Sequence, residues 1–472
     1  MPVGIGADRR QASRAVSVVA VACAVTLASG QYVLGQESAP RPLGRDLPVY
    51  TPALGEPARE APHIQNPTGP LALRDAVALA LLQNPVLAAF AWETRAREAR
   101  ILQAGRPPNP ALSVLVEDIG APLFAGGGVN EPIQSQGTIQ LSQLIELGGK
   151  RAARQQLAAM NRDLATWDYE AARIDVLTEV SRAFTDVLAA QESVAQIERT
   201  MQLVEQVQQS VALRVTAGVV SPIEETRASV AVGSVRVESA RAQRTLEASR
   251  ARLALLWGSP TAAFTAVQGN LRQEPAMLPA LDTLRTRLTQ NPALARWATE
   301  FAQREAALRV ERARATPDVS ITGGYRRFTQ VDANAFVVGA SIALPLFDKN
   351  RAGIQEAQSR LAKAYEERRA AEAQVAAALA DAYAGLATAY DEVATLRATV
   401  LPGSQQAFEA VSEGYRLGRF GFLDVLESQR TLISSGTQYL RALADYHKAV
   451  ANVERLIGAP LTEGSEPPAP KE

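Results

Sequence analysis

The residues able to do chemistry are few. His63 and His447 are the only histidines of the 472-residue chain, one in a proline-rich stretch and the other on a late helix, so they assemble neither a nucleophile–His–acid triad nor a metal cluster. Cys23 is the only cysteine, which excludes an intrachain disulfide and zinc-type spacing. "GGKR" at 148–151 lacks the spacing and the Ser or Thr of a phosphate-binding loop and reads as a strand-to-helix joint. Lys plus Arg and Asp plus Glu both number 49, leaving no basic footprint for nucleic acid. No catalytic residue, metal ligand or cofactor site is expected. What remains is a short stretch, "YRLGRFGFLDVLESQRTL" at 415–432, carrying Tyr415, Asp424 and Glu427 between two long helical runs, and its counterpart with Glu224 earlier in the chain.

The elements that hold such a stretch are unusual. From Lys150 to Ala217 there is neither Gly nor Pro, and as one helix those 68 residues would span about 100 Å. Leu177, Val180, Phe184, Val187, Val194, Met201, Val204 and Val211 step along it by threes, fours and sevens, as in a coiled-coil seam. At "RVTAGVVSPIEETRASV" Gly218 is free to turn left-handed, and Ser221-Pro222 restarts a helix that runs back to Trp257. A second outgoing arm covers Arg351 to Leu417, with a kink expected at Pro402-Gly403; Gly418 to Gly421 turn the chain, and the return arm reaches Ile457.

The two hairpins belong to an internal repeat. Asn84-Pro85 of "LLQNPVLAAF" recurs 207 residues later as Asn291-Pro292 of "RLTQNPALAR"; further on the spacing is 200, as in "GKRAARQ" against "KNRAGIQ" and "WGSP" against "IGAP". The difference falls where the first copy carries "DIGAPLFAGGGVNEP". Each QNP is read as a helix boundary and nothing more, with Asn as N-cap and Pro at the first helical position. Between the short helices and the long hairpin each copy has two strands. Ile139, Leu141, Ile145 and Leu147 alternate with Thr138, Gln140, Ser142 and Glu146; Val319, Ile321 and Tyr325 with Ser320, Thr322 and Arg326; Phe336, Val338, Ala340, Ile342, Leu344 and Leu346 with Val337, Gly339, Ser341 and Ala343. This alternation suits either a half-buried hairpin or a membrane barrel.

At the N-terminus Arg9, Arg10 and Arg14 precede the apolar run Ala15–Gly30, the layout of a secretory signal peptide. Cys23 in "AVAC" is a weak lipidation candidate, because the apolar run continues beyond it and Ala occupies position 20 where Leu is usual. The expected organisation is a signal peptide at 1–30, an extended proline-rich lead-in at 31–70, repeats at 71–260 and 278–460, and a disordered tail at 461–472. No later helix is apolar and long enough to span a bilayer, so a crossing would be made by strands. Four strands cannot close a barrel alone; a dimer with eight or a trimer with twelve would satisfy the open edges.

Two copies of short helices, a strand pair and a long helical hairpin, with QNP near the start of each and the 415–432 tip, resemble the TolC family of outer-membrane efflux proteins over residues 70 to 460. The "ELGGKR" and "LFDKNR" junctions are most similar to those of its CzcC-like heavy-metal branch. The resemblance implies a mainly α fold with a small β part, in which duplicated hairpins form a coiled-coil tube and four strands per chain contribute to a trimeric 12-stranded transmembrane barrel. It implies a homotrimer set in outer-membrane lipid and extending into the periplasm. That trimer would be the passive exit duct of an RND-type system with a periplasmic adaptor and an inner-membrane RND pump, and heavy-metal cations would be its cargo. Drug efflux or type I secretion would use the same duct. A periplasmic adaptor, the rival from another class, fits poorly because no lipoyl-like segment is present.

By the same resemblance Asp424 and Glu427 fall where the family has acidic residues ringing the periplasmic aperture, joined by Glu224 from the first copy, which has Arg227 opposite Glu427. Tyr415 matches a position that helps hold the aperture shut. Where the family has a basic or polar residue tying neighbouring hairpins, this chain has Phe420 beside Arg419. Gly218, Val219, Val220, Gly418, Arg419 and Phe420 are the implied adaptor contacts. An ordinary alternative for Asp424 and Glu427 is stabilisation of a helix N-terminus.

Overall fold

A computed structural model of the protein describes residues 50–51, 66–117, 135–273, 277–329 and 332–461. The signal peptide with Cys23, His63, most of the proline-rich lead-in, the 118–132 insert and the tail beyond 461 lie outside the described residues. The elements run β1 (Leu71–Ala72), α1 (Leu73–Gln83), α2 (Pro85–Ala104), β2 (Ala111–Glu117), β3 (Gln136–Ile145), α3 (Lys150–Thr216) and α4 (Pro222–Leu255). The chain continues through β4 (Val267–Gln268), α5 (Leu281–Arg287), a 3₁₀ turn, α6 (Pro292–Ala295), α7 (Trp297–Arg314), β5 (Val319–Phe328) and β6 (Ala333–Ile342). It closes with α8 (Arg351–Thr395), a π-helical turn, α9 (Leu401–Arg416) and α10 (Phe422–Ile457). Among the described residues no single helix is long and apolar enough to cross a membrane.

The outgoing arm of the first hairpin is one unbroken helix of 67 residues, about 100 Å at the usual rise. Leu177, Val180, Phe184, Val187, Val204 and Val211 are buried along it, while Val194 and Met201 are half-buried. Buried side chains of this size are each worth about 1.5–3 kcal/mol, so the seam outweighs helix propensity in holding the rod. In the second copy the winding of the arm changes just ahead of Pro402. The five residues Leu396–Val400 form a π turn, and α9 starts with the proline in its first turn, where its missing N–H costs little.

Asn84 and Asn291 do more than mark boundaries. The Oδ1 of Asn84 accepts from the Val86 and Leu87 amides at 2.9 and 3.2 Å, and that of Asn291 from the Ala293 amide at 2.7 Å, the capping expected. Each side-chain amide also donates at 2.7 Å to a carbonyl at the end of the same repeat's return arm, Leu256 for Asn84 and Leu456 for Asn291. The two ends of each repeat are thereby clamped together, which corrects the boundary-only reading. The lead-in is likewise not free where it is described: Tyr50 packs on the first core, and Asn66 bonds Ser259 and Trp257. His447 is not a plain surface residue; its Nε2 lies 3.0 Å from the Leu271 carbonyl in the linker between repeats.

β1 and β4 form a short parallel pair, and the other four strands form an antiparallel sheet in the order β2-β3-β5-β6, so the two repeats meet at β3 against β5. Its register aligns Val114, Ile139, Tyr325 and Phe336 on one face, and Leu115, Thr138, Arg326 and Ala335 on the other. The apolar face is bare: Phe336 and Val338 are 88% and 84% exposed. On the other face Thr138 is 1% exposed at the centre, while Leu115 beside it on β2 is 44% exposed. β2 and β6 stand at the two borders, with no further strand beside either among the described residues.

Candidate functional site

Both hairpin tips are built the same way. Gly218 and Gly418 take φ of +70° and +74°, which lets the following amides close the helix end: Val219 N reaches Arg214 O at 2.9 Å and Arg419 N reaches Gly414 O at 2.8 Å. Ser221 then caps α4 through the Ile223 amide, while α10 starts from Gly421, whose amide donates to Asp424 Oδ2 at 2.8 Å. Phe420 folds back over Gly414, where a side chain of any size would strike the phenyl ring.

Tyr415 is where the hairpins are tied. Its side chain is buried, with the ring against Phe422 at a centroid separation of 5.9 Å. The hydroxyl donates to Glu224 Oε2 at 3.2 Å, across to the return arm of the first hairpin. From the outgoing arm of that hairpin, Arg214 donates to the Tyr415 carbonyl at 2.8 Å and lays its guanidinium 4.4 Å from the ring centroid. Burial and the neighbouring Glu224 carboxylate push the Tyr415 hydroxyl above its ordinary pKa, so it stays a donor at neutral pH.

The carboxylates expected as one set differ in their surroundings within one chain. Asp424 and Glu427 are exposed, one helical turn apart, and border a 290 Å³ groove between α9 and α10 whose wall includes Ala407, Val411 and Phe420. Asp424 also closes the capping box of α10, the ordinary role for an acid at that position. Glu224 is half-buried and engaged by Tyr415. Of the tip residues, Gly218, Val219, Gly418, Arg419 and Phe420 are exposed and Val220 is half-buried.

At the other end of the rods, GGKR is the strand-to-helix joint expected. Gly148 and Gly149 have φ of +68° and +72°, and Lys150 begins α3. Lys150 pairs with Asp318 at 2.7 Å, and Arg154 grips both oxygens of Glu146, so the joint of the first copy is locked to the start of β5 in the second. The hydrogen bond from Arg154 holds the Glu146 carboxyl below its ordinary pKa. Burial pushes Asp318 the other way, but the bonds from Lys150 and the Leu147 amide outweigh it, and the carboxyl stands low.

Hairpin tips tied across repeats, a rod locked to the sheet and a sheet bare on its apolar face can be set beside known proteins. A model described as "Outer membrane efflux protein" matches residues 76–259 and 283–459. The chain belongs to that family. It is 35% identical over 390 residues, 83% of this chain and 90% of the relative, to the cobalt-zinc-cadmium resistance protein CzcC of Cupriavidus metallidurans. It is 30% identical, over 63% of this chain and 68% of the relative, to the nickel-cobalt-cadmium resistance protein NccC of Alcaligenes xylosoxydans xylosoxydans. In fold it is similar to the open state of the Neisseria gonorrhoeae MtrE outer membrane channel, with a TM-score of 0.65 and 19% identity over 89% of this chain and 99% of that one.

As an outer membrane efflux channel, the protein sits in the outer membrane and extends into the periplasm. Sequence reasoning missed Arg214 in this channel. The only local signal was a basic residue in the last turn of α3, which the helix dipole alone would favour.

Proposed function

We propose that three copies of this efflux channel close a 12-stranded barrel and conduct heavy-metal cations outward, receiving them from an inner-membrane RND pump through a periplasmic adaptor. The four-stranded sheet carries this reading, with one apolar face exposed and two borders lacking a neighbour among the described residues, set on rods too long for one subunit to bury. A sheet edge in lipid costs several kcal/mol for each unsatisfied backbone group, so the borders require other copies. The cargo follows from similarity to relatives named for cobalt, zinc, cadmium and nickel resistance.

In this duct Tyr415 with Glu224 and Arg214 is the latch of the periplasmic mouth. Asp424 and Glu427 supply carboxylates there, three of each, which concentrate cations. Gly218, Val219, Val220, Gly418, Arg419 and Phe420 meet the adaptor. The test is deletion in the native host, scored for growth on cobalt, zinc and cadmium salts and on a panel of antibiotics, together with the mass of the purified protein in detergent. Loss of metal tolerance alone, with a trimer, is expected. Loss of antibiotic tolerance alone would reassign the cargo, and a monodisperse lone subunit, soluble without detergent, would overturn the duct.

A further inference from the structure

The described strands carry only three charged side chains: Glu117 on β2 and Arg326 and Arg327 on β5. Arg327 shares the parity of the bare apolar face and is paired beyond the strand with Asp332. Glu117 and Arg326 share the opposite parity, that of Thr138, Gln140 and Ser142. The guanidinium of Arg326 is held at two points. Its Nε donates to the hydroxyl of Thr138, its direct cross-strand partner, at 2.9 Å, and one terminal nitrogen lies 3.5 Å from the Glu117 carboxylate two strands away. Ala335 is the facing residue on β6, so nothing bulky competes for the space. The side chain therefore lies along the wall of the sheet, across β3 towards β2.

We propose that Arg326 and Glu117 form a charge-compensated collar inside the barrel, and that Glu117 sets the charge preference of the membrane section by neutralising the arginine and holding it against the wall. This rests on the barrel reading above, in which the polar face lines the lumen. Three copies bring three guanidinium groups to one level of the barrel wall, where their fields add. Uncompensated, such a ring is the device of an anion pore and opposes a cation cargo. Compensated, its net charge is zero.

The experiment is the reversal potential of the full-length protein in planar bilayers under a potassium chloride gradient, for wild type, E117Q, R326Q and the double variant. An unmasked ring raising the lumen potential by even about one kT would lower cation and raise anion occupancy about 2.7-fold each, a roughly sevenfold move of the permeability ratio towards chloride. E117Q should show that move, R326Q the opposite one, and the double variant should return to wild type. Wild type that forms no pore would overturn the barrel reading itself. Pores whose reversal potential is unmoved by E117Q would overturn the collar and leave the barrel standing. Should E117Q fail to insert, R326Q reads the same collar with opposite sign, and an unmoved potential there is equally fatal to it.

Discussion

The latch proposed at Tyr415 gives the most direct test of the proposed mouth. Tyr415→Phe keeps the buried ring and removes only the hydroxyl that meets Glu224 at 3.2 Å. A hydrogen bond to a charged group is worth about 1.5–3 kcal/mol, and the long, half-buried geometry puts this one near 1.5. Arg214→Ala removes more. It takes away the 2.8 Å bond to the Tyr415 carbonyl, at about 1.5 kcal/mol, and the guanidinium over the ring, at about 0.5–1 kcal/mol. At 1.4 kcal/mol per factor of ten, the closed-to-open ratio per chain should fall about tenfold in Y415F and about 30- to 70-fold in R214A. Single-channel dwell times in bilayers read both numbers. A third arm uses pH: the Tyr415 pKa is raised above 10.0, so its contribution is complete below that value and disappears as pH rises through the higher folded value. Wild type should therefore open in strong alkali and Y415F should show no such step. Equal closed times in wild type, Y415F and R214A would refute the assignment of these contacts to the closed mouth.

Other perturbations test other parts of the molecule. D424N/E427Q should reduce the potassium-over-chloride preference of the pore, and an unchanged reversal potential would remove the acidic ring. Single cysteines at Val219 and Arg419 should cross-link to the cognate adaptor in cells, and consistent failure at both tips would remove the docking surface. Asn291→Ala should cost about 2–4 kcal/mol, from a lost cap and a stranded Leu456 carbonyl, and hydrogen exchange should accelerate at 456–461. Asn291→Asp keeps the cap, so equal acceleration in both variants would locate the effect in the clamp. Glu146 is held below its ordinary 4.5, so its contribution is present above that value and is lost as pH falls through the lower folded value. The stability of the fold should drop over that acid range in wild type and be flatter in E146Q, as read by chemical unfolding at a series of pH values.

Local rules carried the sequence far where the causes are local. Gly218 and Gly418 could be placed in left-handed turns because a helix that reverses needs such a residue after its last turn. The strands could be placed because alternation survives whichever neighbour the sheet finds. Pro402 was legible as a disturbance but not as a π turn. The outcome depends on how the two cores on either side, one holding Leu396 and the other Phe408, repay one extra residue in the winding.

What local reading lost was every contact between the repeats. Arg214 reaches the Tyr415 carbonyl across 201 residues of sequence, and Glu224 reaches its hydroxyl across 191. Aligning the copies position by position hides such a pair, because alignment matches Glu224 with Asp424 and so suggests one shared employment. The fold brings the tips together as unlike partners. The first hairpin supplies the cation and the acceptor, and the second supplies the tyrosine between them. Duplication makes two tips of one shape from local rules, and divergence at Arg214, Glu224 and Tyr415 lets those tips hold each other. The tip glycines therefore report the shape of the tips, while the residues at which the copies differ report how the two tips of one chain are held together.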